Sequence, residues 1–523
     1  MGRVIVRNTL FAAGGQFVSA GVSFLATPYI VYKLKTEGYG VWALMSVVTG
    51  YAGLLDLGVK AAFTKYVAEY KAKADEKALQ GVVGTGLVFY TALGILVFAL
   101  VYVLRDPLLR LLNVPVTLYE QASFALLCSV AAFCVSNVFS AFWGVIEGLQ
   151  RMDVSRSVGI GTSVGTTGAM VVVLALGGAL KEMAEVALVS AILGGFLVAV
   201  CAFRVSPVRI GLTSLKIDKE MFKRLAGFGL KLQGANLSSV GNLHLDKLLL
   251  AHFWNVRLVT FYELGLRATM MLRSLPLLLV TAIVPAASDL QARGEKDRLA
   301  LLYERGMKYL AAATYPFILL PLVLSSYLVG AWMGLPEYSP VVRPLQFLAL
   351  AHCFNVLTGL PNMIARGLGL LNYEMVTGFG FPCVHLGLAL ILVPRYGMAG
   401  ALGGATAAVV GVSVLSLLWV HAGTKVSPKP FARLWWEAHA KPCAAALLAT
   451  ATVYLISLLG KRGVGAPSTR LDYIGWVMVL SCVFVVLYCS VLSQMRFLDR
   501  DDLRAFPFLR RIPLWGAKLQ ASS

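Results

Sequence analysis

The stretch VVGTGLVFYTALGILVFALVYVL, residues 82–104, runs for 23 positions without an Asp, Glu, Lys, Arg or His. As a helix rising about 1.5 Å per residue it reaches about 34 Å, enough to cross a hydrocarbon core of about 30 Å. A helix that is apolar all round must be buried on every side, in a large core or in a bilayer. Similar runs recur along all 523 residues, which are 58% hydrophobic and only 14% charged, with a mean hydropathy of +0.76. A soluble protein of this size needs more charge to cover its surface. A transmembrane β-barrel is excluded, because its strands alternate apolar with polar residues. The fold class is therefore an all-α polytopic membrane protein.

The runs place spans at about 9–32, 38–59, 82–104, 121–145, 157–177, 184–203, 225–253, 258–287, 309–331, 344–365, 374–393, 399–421, 442–460 and 472–494. Fourteen spans put both termini on one side. With the termini inside, the inner segments carry nearly three times as many Lys and Arg as the outer ones, the asymmetry of the positive-inside rule. The net charge of +20 is thereby explained by topology, with anionic membrane lipid as its partner and no nucleic acid. The first run is too long for the core of a secretory signal. All eight cysteines fall in apolar runs without metal-ligand spacing. No joint between spans much exceeds about 25 residues, which leaves no room for a nucleotide-binding domain, and no Walker-type loop appears.

GVIEGLQRMDVSRSV (144–158) follows the fourth span, and NMIARGLGLLNYEMV (363–377) follows the tenth. Gly-Leu recurs at an offset of 219 residues (148–149 and 367–368). The joints KLKTEGYGVWAL (33–44) and HFWNVRLVTFYEL (252–264) also correspond. Two copies of a six-helix bundle are expected, related by a pseudo-twofold axis along the membrane normal. The expected division is an N-terminal lobe at 1–204, a basic cytoplasmic linker at 205–224, a C-terminal lobe at 225–424, and two further spans with a basic tail at 425–523. Transporters with this duplication bind substrate between the halves.

These features resemble the polysaccharide-transport branch of the multidrug/oligosaccharidyl-lipid/polysaccharide exporter superfamily, the O-antigen-type flippases. The resemblance is carried by Gly-Tyr-Gly-Val-Trp-Ala-Leu (38–44), Leu-Asp-Leu-Gly (55–58), Gly-Leu-Gln-Arg-Met-Asp (148–153), Leu-Asp-Lys-Leu-Leu-Leu (245–250) and Pro285. The segment His252–Arg257 departs from the family's usual joint, so no gating role is transferred to it. The resemblance implies a flippase, not an enzyme, in the bacterial inner membrane. It implies that undecaprenyl-pyrophosphate-linked oligosaccharide units move from the cytoplasmic to the periplasmic leaflet by alternating access, in surface polysaccharide synthesis. An ion gradient or membrane potential would drive this, with no bound cofactor, and a polymerase and glycosyltransferases of the same pathway would be partners. The alternatives are an ion-coupled drug antiporter of the same architecture and a membrane-embedded polymerase or ligase.

Ionisable groups inside spans cost about 2.5–3.5 kcal/mol each on insertion scales and are functional candidates by default. In the seventh span Lys231, Ala235, Ser238, Asn242 and Asp246 fall within about 80° of one another, a polar stripe along one helix face. Lys247 and His244 point to the other side, where Lys247 is expected to snorkel to the interface and His252 to reach water. Gln16, Ser19, Ser23 and Thr27 form a matching arc in the first span, with ordinary helix packing as the competing reading. In the eighth span Glu263 and Arg267 form an i, i+4 pair. Arg267 is the leading candidate to hold a phosphate, since its planar fork matches phosphate oxygens; Arg273 lies beside that face. Glu263, Lys231, Asn242, Asp246, Gln16 and Ser23 complete the expected groove. His352, Asn355, Gly359 and Arg366 form a further stripe, and Glu374 and His385 share a face; His352, His385 and Glu374 are the candidates for ion coupling. GTSVG (161–165) is expected to be a small-residue helix contact, and Asp499-Arg-Asp-Asp502 a solvated charge run.

Overall fold

The computed structural model describes residues 2–56, 59–206, 219–277, 280, 283–334, 336–370, 372–463, 465–499 and 502. The described chain is a succession of helices: α1 (Gly2–Ala52), α2 (Val59–Ala72), α3 (Glu76–Leu111), α4 (Tyr119–Gly148), α5 (Met152–Ala175), α6 (Leu180–Val205), α7 (Lys219–Phe253) and α8 (Val256–Leu277). There follow α9 (Ile283–Ala292), α10 (Lys296–Met333), α11 (Val342–Leu357), α12 (Gly359–Gly367), α13 (Asn372–Tyr396), α14 (Met398–Thr424), α15 (Phe431–Gly463) and α16 (Arg470–Gln494).

Eleven stretches among the described residues are long and apolar enough to cross a membrane. They cover the expected spans 1–6 and 9–14, the first two sharing one stretch, Phe17–Asp56. That stretch is not a straight rod: Lys35 takes φ 60°, ψ 172°, at the polar joint expected over 33–38. α7 and α8 occupy the positions of the expected spans 7 and 8 but are not among the eleven; they carry most of the in-span charge, which lowers their hydropathy. The expected eighth run is described as α8, to Leu277, and α9, from Ile283; residues 278–279 and 281–282 between them lie outside the described residues.

The chain forms two compact units, one of residues 1–263 and 381–401, the other of 264–380 and 402–523. Drawn by compactness, they cut across the two sequence repeats: residues 225–263 and 381–401 pack with the first. Apolar side chains stand exposed on helix flanks in both. Ile95, Leu96 and Val103 of α3 do so in the first, and Leu447, Leu448 and Leu455 of α15 in the second. Such faces suit a bilayer, where acyl chains cover them. Because lipid is as apolar as leucine, close packing of small residues must hold such helices together. In the first unit Phe63 on α2 fills the space over Gly86 and Gly144, where an added Cβ would stand 1.8 Å from its ring Cζ and 2.6 Å from its Cβ, respectively. In the second, Ala445, Ala446 and Ala449 of α15 are buried with Leu324, Tyr327, Phe484 and Tyr488.

The repeat has a local structural counterpart. After α4, Gln150 takes φ +61° and Arg151 N–H donates to Ile146 O at 3.1 Å. After α12, Gly369 takes φ +76° and Leu370 N–H donates to Ala365 O at 2.8 Å. Both are left-handed helix ends closed by the same bond pattern, and positions 150 and 369 are 219 apart. The preceding glycines also match. A Cβ on Gly148 would press on Val67 and Thr64 O, and one on Gly367 on Ala287 and Val284 O.

Candidate functional site

Within the first unit α1, α4, α5 and α6 line a cavity of about 610 Å³, inside the range of about 300–1,000 Å³ usual for small-molecule sites. Its wall is hydroxylic: Ser46 and Thr49 from α1, Ser129 and Ser136 from α4, Thr162, Ser163, Thr166 and Thr167 from α5, and Ser190 from α6. Trp42, Phe133, Phe139 and Trp143 supply aromatic surface, and among the described residues the lining holds no charged side chain. Ser46, Thr49 and Thr162 turn back to carbonyls of their own helices. Ser129 Oγ is buried without a hydrogen-bond partner among the described residues. A hydroxyl donates and accepts at once, so this wall complements a ligand that is itself rich in hydroxyls, while the aromatic faces cover its C–H surfaces.

A second pocket of about 310 Å³ shares Trp143 with the first. Lys60 of α2 and Arg156 of α5 line it, with Glu147 and Ser155. Glu147 accepts from Ser155 Oγ at 3.1 Å. Lys60 and Arg156 form no ion pair among the described residues, so this pocket is cationic where the larger one is neutral.

Beside the larger cavity lies a buried polar cluster on the C-terminal end of α7, which the fold clamps from several sides. Asn113 Nδ2 donates to Ala251 O at 3.1 Å and to His252 O. Trp254 Nε1 donates to Val393 O at 2.8 Å, and Thr260 Oγ1 to Thr36 O at 2.6 Å. Inside this clamp Asp246 is 1% exposed. Its Oδ2 accepts from Tyr262 Oη at 2.5 Å and its Oδ1 lies 3.0 Å from His385 Nε2 of α13. His385 Nδ1 is buried with no hydrogen-bond partner among the described residues. The arrangement favours the tautomer with hydrogen on Nε2, since a second N–H at Nδ1 would be unsatisfied. On the next residue, Lys247 Nζ lies 3.1 Å from Glu263 Oε2 and 3.4 Å from Ser46 Oγ, a hydroxyl of the cavity wall. Lys247 is 3% exposed.

One expectation for this stretch is corrected. Lys247 does not snorkel to the interface; it is buried against α1 and α8, because α7 is covered on both faces. His252 is half-buried, with Nδ1 2.8 Å from Leu111 O. Glu263 shares an ion pair with Lys247 rather than serving Arg267 alone. GTSVG is also more than a helix contact, since Thr162 and Ser163 stand in the cavity wall. Asp502 is not solvated: it is fully buried, paired with Lys308 and accepting from Tyr309.

Of the expected site residues, Asp246, Glu263 and His385 meet in this cluster, and Tyr262 joins them unforeseen. In the second unit Arg273 lies 3.1 Å from His352 Nδ1, and His352 is 4% exposed. A guanidinium only donates, so His352 Nδ1 is the bare nitrogen and holds Arg273 in place. Arg267 is half-buried on α8. Ser23 is half-buried on α1, its carbonyl accepting from Thr27 Oγ1 at 2.7 Å. The side chains of Gln16, Lys231, Asn242 and Glu374 lie outside the described residues. The hydroxyls of α5 had a signal in the sequence, a recurrence of Ser and Thr at 162–163 and 166–167 with helical spacing. Lys60 and Arg156 had none beyond their position next to spans.

Residues 5–291 match the model of a family described as polysaccharide biosynthesis protein. The chain belongs to this family. It is similar to a putative O-antigen transporter of Shigella flexneri, 20% identical over 403 residues, 76% of this chain and 93% of the relative. It is also similar to the probable flippase AglR of Haloferax volcanii, 21% identical over 440 residues, 80% of this chain and 83% of that one. Its fold is that of the lipid II flippase MurJ in an inward closed conformation, with a TM-score of 0.70 at 11% identity, covering 93% of this chain and 99% of the other. The resemblance to the polysaccharide-transport branch of the exporter superfamily therefore holds, and the protein is a multi-pass membrane transporter, not an enzyme.

Proposed function

We propose that the protein flips undecaprenyl-pyrophosphate-linked oligosaccharide repeat units from the cytoplasmic to the periplasmic leaflet of the inner membrane, for surface polysaccharide. The observation that carries this reading is the pair of pockets joined at Trp143. A neutral hydroxyl-and-aromatic cavity suits the sugars, and the pocket with Lys60 and Arg156 suits the pyrophosphate. The relatives are a transporter of O-antigen and a flippase by name, which agrees with a lipid-linked glycan. Both termini are cytoplasmic by the charge asymmetry, which puts Lys60 and Arg156 on the side where the substrate is made. Movement is by alternating access between the lobes of the sequence repeat, 1–204 and 225–424.

Asp246 and His385 are the seat of ion coupling in this reading. A carboxylate and an imidazole in direct contact inside a buried cluster are side-chain types able to carry a coupled ion or proton. Deletion of the gene, with no paralogue present, tests the function: lipid-linked repeat units accumulate in the inner leaflet and surface glycan disappears. Unchanged surface glycan refutes it.

A further inference from the structure

The second unit holds a cavity of about 540 Å³ at one end of its helices, apart from the two pockets of the first unit. Five cations line it: Arg305 and Lys308 of α10, Lys429 before α15, Lys441 of α15, and Arg496 just past α16. Three of them have acidic partners. Lys429 lies 2.9 Å from Glu304 and 2.7 Å from Glu437, and these two carboxylates hold its ammonium above its ordinary pKa, Glu437 first. Lys308 pairs with Asp502 and lies 3.8 Å from Asp499, and Arg305 lies 3.8 Å from Asp502. Lys441 and Arg496 have no carboxylate within 4 Å among the described residues. Lys441 Nζ reaches only the carbonyl of Arg496, at 3.5 Å.

The backbone sets Arg496 there at a cost. It takes φ +49°, a left-handed helix end where glycine is the usual residue. The turn is closed by Phe497 N–H donating to Leu492 O at 3.1 Å. Phe497 is 5% exposed, and Lys308 Nζ stands 4.9 Å from its ring centroid. With the next residue plugged into the core, Arg496 is fixed at the cavity's lining while remaining exposed. Strain kept at a cationic position is a pointer to ligand binding. Trp436 at the same cavity is 73% exposed, in the manner of aromatic residues at the headgroup level. Beyond Lys441, Leu447 and Leu448 of α15 are 52% and 55% exposed, an apolar face leading away from the two cations.

We infer that this cavity is a binding site for the phosphodiester of an anionic glycerophospholipid, held by Lys441 and Arg496, with the acyl chains along α15. The charge count places it in the cytoplasmic leaflet, whose anionic lipids attract such basic pockets. The site serves as an anchor and stands whether or not the substrate is a lipid-linked glycan.

The test is native mass spectrometry of the purified full chain from mixed phosphatidylglycerol and phosphatidylcholine. Wild type retains one phosphatidylglycerol in preference to phosphatidylcholine. Each cation lost lowers that preference about fivefold, and Lys441→Gln with Arg496→Gln lowers it about thirtyfold, on the scale of one surface cation facing an anionic leaflet. Arg462→Gln, at the opposite end of α15 and outside the cavity, leaves the preference unchanged. Arg496→Gly relieves the strained backbone, so it loses the lipid while melting no lower than wild type, which separates binding from misfolding. Equal retention of both lipids by wild type overturns the proposal, as does an undiminished preference in the double variant. Displacement of the lipid by millimolar inorganic phosphate also overturns it, by showing a site for the free ion.

Discussion

Asp246→Ala tests the buried cluster directly. The carboxylate is 1% exposed and accepts from two side chains, Tyr262 Oη at 2.5 Å and His385 Nε2 at 3.0 Å. Its removal strands two buried donors, each costing about 1–3 kcal/mol, so the variant loses about 2–6 kcal/mol of stability. Tyr262→Phe instead leaves the carboxylate in place and removes one donor, for about 1.5–3 kcal/mol, the worth of a hydrogen bond to a charged group. The double variant Asp246→Ala/Tyr262→Phe then has no stranded phenol, and it is more stable than the sum of the two singles by about 0.5–3 kcal/mol, the range for residues in contact. Thermal unfolding of the detergent-solubilised protein, followed by the size-exclusion profile of the surviving monomer, reads all four. Additive losses within error would refute a direct Tyr262–Asp246 bond. A loss below about 1 kcal/mol in Asp246→Ala would show that water reaches the site and that it is not the dry cluster described.

Lys60→Gln and Arg156→Gln each remove a charge-assisted contact to phosphate worth about 1.5–3 kcal/mol, so each weakens binding of a pyrophosphoryl lipid about tenfold or more without lowering the melting temperature; a titration of the purified protein checks this. Gly86→Ala places a methyl 1.8 Å from Phe63 Cζ, and the overpacking costs about 1–3 kcal/mol, seen as a lower melting temperature that Phe63→Leu partly restores. Asp502→Asn weakens the docking of the segment after α16. Burial pushes the Asp502 carboxyl up, but Lys308 and Tyr309 outweigh it and hold it below its ordinary value. Its contribution is therefore present above the usual Asp range and lost as the pH falls through the depressed value. Wild type and Asp502→Asn accordingly differ in melting temperature at neutral pH and converge in strong acid.

What the sequence made legible follows from how far each signal reaches. A span is written in about twenty consecutive residues, so α3–α6 and α10–α16 fall close to where hydropathy places them. The joint at 33–38 and the repeat at 148 and 367 are equally local, and both have backbone counterparts. Asp246 was legible as an in-span acid, but its partners were not: His385 is 139 residues away in the chain, and nothing local names it. Lys247 was misread for a physical reason. A helical wheel divides residues between a groove and the outside, while α7 has protein on both faces and so buries charges on both. The hydroxyl cavity has no such local signature, because Ser and Thr in a span read equally as packing residues, and a wall shared among four helices is no single helix's pattern. Arg496 and Asp502 were read as parts of a basic tail, since only the fold brings them to α10 and α15.

The central claim, that the substrate is a glycan on a polyprenyl pyrophosphate, is tested most directly by flipping in proteoliposomes. Labelled undecaprenyl-pyrophosphate oligosaccharide is placed on one leaflet, and its arrival on the other is read with a glycan-cleaving enzyme confined to that side. The account predicts protein-dependent flipping that collapses in Lys60→Gln/Arg156→Gln and falls when either the sugars or the pyrophosphate are omitted from the lipid. Equal flipping of the bare polyprenyl phosphate, or none of the intact substrate by a folded protein under an imposed ion gradient or membrane potential of either sign, would contradict it.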